Sequence, residues 1–144
     1  MIGLTFERLQ DPNKVTGRLV EGLQMFYDIR CGQGNRLVDE DELAECVDNN
    51  GPIIVAYDNA GCVVSFGQFF EARFHADPCM EPAPRGSIVN FHVATLTPLW
   101  GGKADPKACT EMSFTIERLV VGLARFTAEQ HKWEIVRVVS AGRQ

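Results

Sequence analysis

Ser-Ile-Val-Asn-Phe-His-Val-Ala-Thr, residues 87–95, is the stretch from which the fold can be predicted. Its β-branched and aromatic residues, in a run of strand length, predict a β-strand. A turn follows, and Asp105-Pro106 has the form of a helix start, because Asp can cap the first amides and Pro loses no hydrogen bond there. Residues 133–139 predict a second buried strand. The segment therefore predicts two parallel strands joined by a right-handed helical crossover.

The helix of this crossover is predicted to be amphipathic. Its core face is expected to carry the apolar residues that recur at three- and four-residue steps, namely Met112, Ile116, Leu119, Val120 and Leu123. Phe114 and Val121 are expected on the opposite face, interleaved with Arg118 and Arg125. An exposed aromatic residue is compatible with an ordinary surface, but this face also suggests a homodimer.

A glycine pair lies between the first strand and the helix. Gly101 and Gly102 would place main-chain amides at a helix N-terminus, where the helix dipole favours a bound anion. Lys103 and Lys107 add positive charge on either side. The alternative is a plain turn without a ligand. Trp100 either covers the core or stacks on a ligand.

Composition narrows the class of protein. The 144 residues, with 45% hydrophobic and 23% charged residues, predict one globular domain spanning residues 1–144. No apolar run is long enough for a membrane span and no signal pattern begins the sequence, so a cytoplasmic protein is expected. A net charge of −5 argues against nucleic-acid binding. Five widely spaced cysteines without a C-x-x-C pair favour reduced thiols. A zinc site at His75, Cys79 and His92 is an alternative of unspecific spacing.

The rest of the chain supplies five further elements. They are predicted as a strand at 2–9, a helix from Asp11-Pro12 to Gly32, a short helix from Asp39 through Val47, and a hairpin of strands 52–57 and 62–70. An irregular loop at 72–86 leads to the next strand. Gly67, inside a strand, suggests a bulge or a close backbone approach.

This order of elements resembles the GCN5-related N-acetyltransferase (GNAT) family over nearly the whole chain. The family's loop pattern is Gln or Arg, two residues, Gly, one residue, then Gly or Ala. Residues 99–104 match it at Gly102 and Ala104 and depart from it at Leu99. The resemblance implies an α/β (α+β) fold like that of acyl-CoA N-acyltransferases, with three αβα layers around a mixed, mostly antiparallel sheet.

The resemblance also implies acetyl-CoA as cosubstrate and acetyl transfer to an amine of a protein or small molecule. By analogy with the family, the strand carrying Phe91, Val93 and Ala94 would pair with the pantetheine arm. The pyrophosphate would be held around the following turn, by Trp100, Gly101, Gly102, Lys103, Ala104 and Lys107.

Two residues are candidates for the catalytic base. His92 lies within the predicted strand, and Glu71 lies at the end of the hairpin's second strand. An imidazole titrates close to neutral pH and suits this role, although a core histidine is an alternative. Strand alternation places His92 opposite the more apolar set of Val89, Phe91 and Val93, which favours a polar cleft for His92.

GNAT enzymes usually continue with a further helix and hairpin, whereas this sequence ends at Gln144. We therefore expect either a fold completed by a partner subunit, with an open sheet edge contributing to a homodimer, or a reduced version of the fold. Short, divergent members of this kind resemble those encoded by bacteriophages. The alternative function is a non-catalytic interaction protein that keeps the fold and modulates another protein.

Overall fold

The computed structural model describes residues 3–72, 83–96 and 106–140. Their elements, in chain order, are β1 (Thr5–Leu9), a 3-10 turn (Pro12–Lys14), α1 (Gly17–Cys31), α2 (Glu40–Asn50), β2 (Ile53–Tyr57), β3 (Val63–Glu71), β4 (Ile88–Thr95), α3 (Pro106–Gln130) and β5 (Glu134–Ser140).

The five strands form one sheet in the order β1-β2-β3-β4-β5. Neighbours from β1 to β4 are antiparallel, and β4 and β5 are parallel. The α3 helix makes the connection that a parallel pair requires. The mixed, mostly antiparallel sheet and the parallel crossover predicted from the sequence are confirmed.

Each face of the sheet is covered by its own helices. On one face, Leu23 and Phe26 of α1 and Val47 of α2 pack against Val55 and Phe66 of the sheet. On the other face, α3 packs against the sheet through a second cluster, which comprises Ile54, Ala56, Val64, Phe69, Val89, Phe91, Val93, Ile116, Val120, Ala124, Ala128 and Trp133. The predicted three layers are confirmed.

Local capping residues fix where the first two helices begin. The carboxylate of Asp11 caps the 3-10 turn by accepting from the Asn13 amide. The α1 helix begins only after Thr16, whose hydroxyl accepts from the Leu19 amide, so the predicted start at Asp11-Pro12 was wrong by one short turn. Asp39 caps α2 as predicted, by accepting from the amides of Asp41 and Glu42.

Gly67 marks a close approach and not a bulge. A Cβ at this position would overlap Cζ of Phe91 and lie 2.8 Å from Cε1 and 2.9 Å from Cε2 of the same ring. Gly67 itself pairs regularly with Ile54 and Val93, while the register shift of β3 lies earlier in the strand, between Val63 and Ser65, opposite Ala56 and Tyr57. The ring of Phe91 therefore occupies the space that the missing side chain leaves.

Two details of the predicted core faces were wrong. Leu119 of α3 is 50% exposed, whereas Val121 of the same helix packs partly against the core. The buried stripe of α3 is made instead largely of small residues, namely Cys109, Ser113, Ala124, Thr127 and Ala128. The buried face of α3 is therefore shifted around the helix relative to the face that the apolar pattern predicts.

Within the described ranges, none of the helices combines the length and apolar character needed to cross a lipid bilayer. Among the described residues, Cys31, Cys46, Cys62 and Cys109 form no disulfide, and Cys79 lies outside the described residues.

Candidate active site

The carboxyl ends of β4 and β5 are the place where this fold is expected to bind a ligand. In open α/β sheets, ligands bind outside the carboxyl ends of parallel strands. The last pair between the two strands is Val93 with Ser140. Beyond it, β4 continues through Ala94 and Thr95, for which the described residues of β5 supply no partner.

A polar network joins the two strand ends on the α3 side. Oγ1 of Thr95 lies 2.9 Å from Oγ of Ser65 and 3.5 Å from Oε1 of Glu117. The hydroxyl of Ser140 donates to the same carboxylate oxygen at 2.8 Å. The side chain of Glu117 therefore bridges the ends of β4 and β5 from helix α3.

A further hydroxyl lies one helical turn before Glu117. Ser113 is fully buried, and its Oγ has no hydrogen-bond partner among the residues that the structure describes. Burying an unpaired hydroxyl costs free energy, so Ser113 weakens this end of the core. The carboxyl end of the parallel pair is thus the polar end of an otherwise apolar layer.

His92 lies on the other face of the sheet. Its neighbours across the strands are Gln68 of β3 and Val139 of β5, and its ring meets that of Phe70 edge-on, with centroids 4.8 Å apart. Partial burial lowers the pKa of His92, and the charge of Arg137 lowers it further. The imidazole is therefore neutral at pH 7 and able to accept a proton.

Glu71 lies far from this end of the sheet. It pairs with Val89, six residues before Thr95, which corresponds to about 20 Å along the strand. Its side chain is directed to the α3 face, since it shares the face of Val89, whereas His92 lies on the opposite face. The two candidate bases are thus not brought together.

The side chains of Phe91 and Val93 are buried in the α3 core, at 0% and 2% exposure. Their main chains pair with β3 on one side and β5 on the other. Ala94 is partly buried and lies beyond the β5 ladder, and Lys107 is exposed in the first turn of α3. Trp100, Gly101, Gly102, Lys103 and Ala104 lie outside the described residues.

A small cavity of about 80 Å³ adjoins the His92 face, between α1, α2 and β3. Gln68, the neighbour of His92, lines it together with Tyr27 and Cys46. The guanidinium of Arg36 stacks over the Tyr27 ring at 4.3 Å, and burial raises the pKa of Tyr27. The face that carries His92 therefore offers an uncharged hydroxyl and an amide at the edge of a groove.

Sequence reasoning missed Ser65, Thr95, Glu117 and Ser140. One signal was present for the helix: Ser113 and Glu117 interrupt, four residues apart, the stripe that otherwise carries the apolar residues of α3. Nothing in the sequence linked this interruption to the two strand ends. No group of His, Cys, Asp or Glu residues able to hold a metal ion occurs within residues 3–72, 83–96 and 106–140.

Comparison with known proteins identifies the fold. Neither the protein-family models nor the curated proteins contain a match to this sequence. Among solved structures, the chain is similar to an aminoglycoside acetyltransferase from an uncultured soil metagenomic sample, in complex with sisomicin and, in a second structure, with trehalose. Both matches have a TM-score of 0.53 and 13% identity, and they cover 96% of this chain and 77% of the other. The chain therefore shares its fold with this acetyltransferase, and the fold class expected from the sequence is confirmed.

Proposed function

We propose that this protein is an N-acetyltransferase that uses acetyl-CoA and transfers the acetyl group to an amine at the carboxyl ends of β4 and β5. The observation that carries the proposal is the exposed imidazole of His92 on β4, with its lowered pKa, in a fold shared with an acetyltransferase. A fold alone hosts many functions, so the side chain gives the chemical argument.

Acetyl-CoA supplies an activated acetyl group. The acceptor amine carries a proton at neutral pH and has to lose it before its nitrogen attacks the thioester carbon. The C–N bond then forms, the C–S bond breaks, and CoA leaves as a thiolate that takes up a proton from the solvent. In the proposed reaction, His92 accepts this proton on the α1 side of the sheet, and Gln68 and Tyr27 line the groove through which the amine enters. Glu71 is not proposed again as the base for this site, because it lies on the other face and about 10 Å further along the strand pair than His92.

Few of the residues that the structure describes are in a position to contact acetyl-CoA. The main chain of β4 is paired on both sides through Val93, so the pantetheine arm is proposed to pair from Ala94 onward. Lys107 would add positive charge near the pyrophosphate. The proposed contribution of Trp100, Gly101, Gly102, Lys103 and Ala104 rests on the sequence.

The closed β4–β5 ladder favours a second candidate, the non-catalytic interaction protein. Strands that pair up to Val93 and Ser140, and are bridged by Glu117, leave less main chain for a cosubstrate. Calorimetry with acetyl-CoA separates the two functions. An enzyme should be stabilised by about 2.7 kcal/mol at a hundredfold excess over Kd, whereas a protein without the site should not respond.

His92→Gln tests the chemical step. We expect acetyl-CoA binding to be retained and kcat to fall about 10²–10⁴-fold, because a positioned base is lost. CoA release can be followed as free thiol with a panel of primary amines, including an aminoglycoside. In the wild type the rate should hold from pH 8 to below pH 6.5 and fall only at lower pH, because the pKa of His92 lies below its ordinary value of 6.5.

His131→Gln is the matched control. His131 also has a lowered pKa but follows α3, at the other end of the parallel pair. The His131→Gln variant should therefore leave kcat and the acid limb of the pH–rate profile unchanged. A His92→Gln variant that keeps both the wild-type rate and the wild-type acid limb would remove His92 from the mechanism.

The homodimer expected from the sequence stays a proposal. Phe114, Leu119 and Phe126 on α3 are each about half exposed, at 47%, 50% and 53%. The outer edge of β5 is less suited to pairing with a second copy, because the strand is bulged opposite Val89 and Asn90 and carries the exposed Arg137.

A further inference from the structure

A second cavity, distinct from the candidate active site, lies at the β1–β2 edge of the sheet. It has a volume of about 460 Å³, is open to solvent on one side and is lined by β1, the 3-10 turn, the start of α1 and the turn between β2 and β3. This volume lies within the range of about 300–1,000 Å³ that is typical of small-molecule sites. The cavity is separated from β4 by two strand spacings, about 10 Å.

The lining combines an apolar floor with charges of both signs. Leu19, which is buried, and Tyr57, which is partly buried, form the floor. Glu7 and Asp58 bring carboxylates, and Lys14 and Arg18 bring cations. Oδ1 of Asp58 already accepts from the amides of Ala60 and Cys62 at 2.9 Å each. Glu7 is therefore the carboxylate with more capacity to accept hydrogen bonds from a ligand.

The carboxylate of Glu7 and the guanidinium of Arg18 both lie near the Tyr57 hydroxyl. This hydroxyl donates to Oε2 of Glu7 at 3.3 Å. Burial raises the pKa of Tyr57, Glu7 raises it further and Arg18 lowers it, so both charges lie close to the phenol, which stays protonated.

The guanidinium of Arg18 is held against the β2–β3 turn. A Cβ at Gly61 would lie 2.7 Å from Nη2 of Arg18, and Gly61 has a φ of 82°, so the turn leaves the space in which the guanidinium sits. The cavity therefore presents a carboxylate on β1 and a placed cation on α1, with a neutral hydroxyl between them.

We infer that this cavity binds a small zwitterion of the α-amino-acid class. The ligand's ammonium would bind the Glu7 carboxylate, its carboxylate would bind Arg18 and Lys14, and its side chain would lie on Leu19 and Tyr57. Charge-assisted hydrogen bonds at both ends would favour a ligand that carries both charges over one that carries either alone. The inference does not depend on acetyl transfer.

Amide chemical-shift mapping tests the site. The ¹⁵N-labelled protein is titrated with each proteinogenic L-α-amino acid to about 10 mM, well above a millimolar Kd. At least one should shift the amides of Thr5, Gly61 and Arg18 in a saturable manner and leave the β4 amides unchanged. The methyl ester and the N-acetyl derivative of the best binder should each bind at least about tenfold more weakly.

Glu7→Gln and Arg18→Gln should each weaken binding by about tenfold or more, since each removes one charge. Glu21→Gln and Arg125→Gln are matched controls, because both residues are exposed and neither lines the cavity. They should bind like the wild type, and the same spectra report whether every variant is folded. Absence of a saturable shift with all the amino acids, or equal affinity in all four variants, overturns the inference.

Discussion

The two ends of the β4–β5 pair differ sharply, although one helix covers both. At the beginning of the strands, Phe69, Phe91 and Trp133 form a ring cluster with centroids 4.9 and 5.2 Å apart. The indole Nε1 of Trp133 donates to the Ala83 carbonyl at 3.0 Å, so the cluster has no unpaired indole donor. At the carboxyl ends, the same layer holds Ser65, Thr95, Ser113 and Glu117.

The residues that stabilise the fold and the residues that carry polar groups therefore lie at opposite ends of the β4–β5 pair. Aromatic packing is worth several kcal/mol for each large side chain, whereas buried hydroxyls contribute little net free energy even when they are paired. The apolar beginning therefore holds α3 on the sheet, and the polar ends are free to carry groups that a ligand can use.

The largest effect is expected at the apolar beginning. Phe91→Ala should lower the free energy of unfolding by about 3–5 kcal/mol, because it empties the space above Gly67. Gly67→Ala should cost about 1–3 kcal/mol by overpacking against the same ring. In a Phe91→Ala background, the Gly67→Ala change should cost much less, which a double-mutant cycle in urea would measure.

Leu37→Ala is the control for this cycle, since Leu37 is 77% exposed and its loss should change stability by less than about 0.5 kcal/mol. Additive costs of Gly67→Ala and Phe91→Ala would show that the ring and the glycine do not share the space described above.

The second effect contrasts two buried hydroxyls at the polar end. Thr95→Val should destabilise by about 1–2 kcal/mol, because it leaves Ser65 and Glu117 without a partner they now have. Ser113→Ala should be neutral or stabilise by up to about 1 kcal/mol, because its hydroxyl has no partner to lose. Equal costs for the two substitutions in chemical denaturation would contradict the assigned hydrogen bonds.

A smaller gain is expected from Lys132→Gly, just before Trp133. Lys132 has a φ of 57°, a left-handed conformation that glycine adopts without strain, and it closes α3 by donating to the Glu129 carbonyl. The free energy of unfolding should rise by about 1 kcal/mol. Lys132→Ala keeps the backbone strain, so its free energy of unfolding should stay close to that of the wild type. A rise in both variants would show that the loss of the lysine charge, and not the relief of strain, is the cause.

The smallest effect is expected from the two histidines with lowered pKa values, His92 and His131. The pKa values of His92 and His131 are lowered by burial, so the folded protein binds fewer protons than the unfolded chain just below pH 6.5. Stability should be complete above pH 6.5 and fall as the pH drops through the folded-state pKa values. Removing both imidazoles, by Gln substitution, should flatten the thermal stability between pH 7 and 5; an unchanged slope would exclude them as its source.

The sequence predicted the order of the strands and helices because alternation and capping are local properties. Asp39 capped α2 as expected, and the alternation in β4 placed His92 opposite Val89, Phe91 and Val93. The start of α1 was missed because Asp11 and Thr16 are both good caps and both are used, Asp11 for the 3-10 turn and Thr16 for α1.

The polar network could not be predicted in the same way. Ser65, Thr95, Glu117 and Ser140 come from four different elements, and their contact depends on the rotation of α3 against the sheet. The buried stripe of α3 consists largely of small residues, which do not form a strong apolar pattern in the sequence. Local periodicity therefore predicts the elements but not the side chains that meet between them.

The close approach at Gly67 has a consequence for strand alignment. Because Gly67 leaves room for a ring on the α3 side of β3, the Phe91 ring favours the alignment in which Gly67 pairs with Val93. Slippage of β4 by one residue would bring His92 beneath α3 and turn Val93 to the face that α1 and α2 cover. The missing side chain at Gly67 thus determines on which face of the sheet the His92 side chain lies.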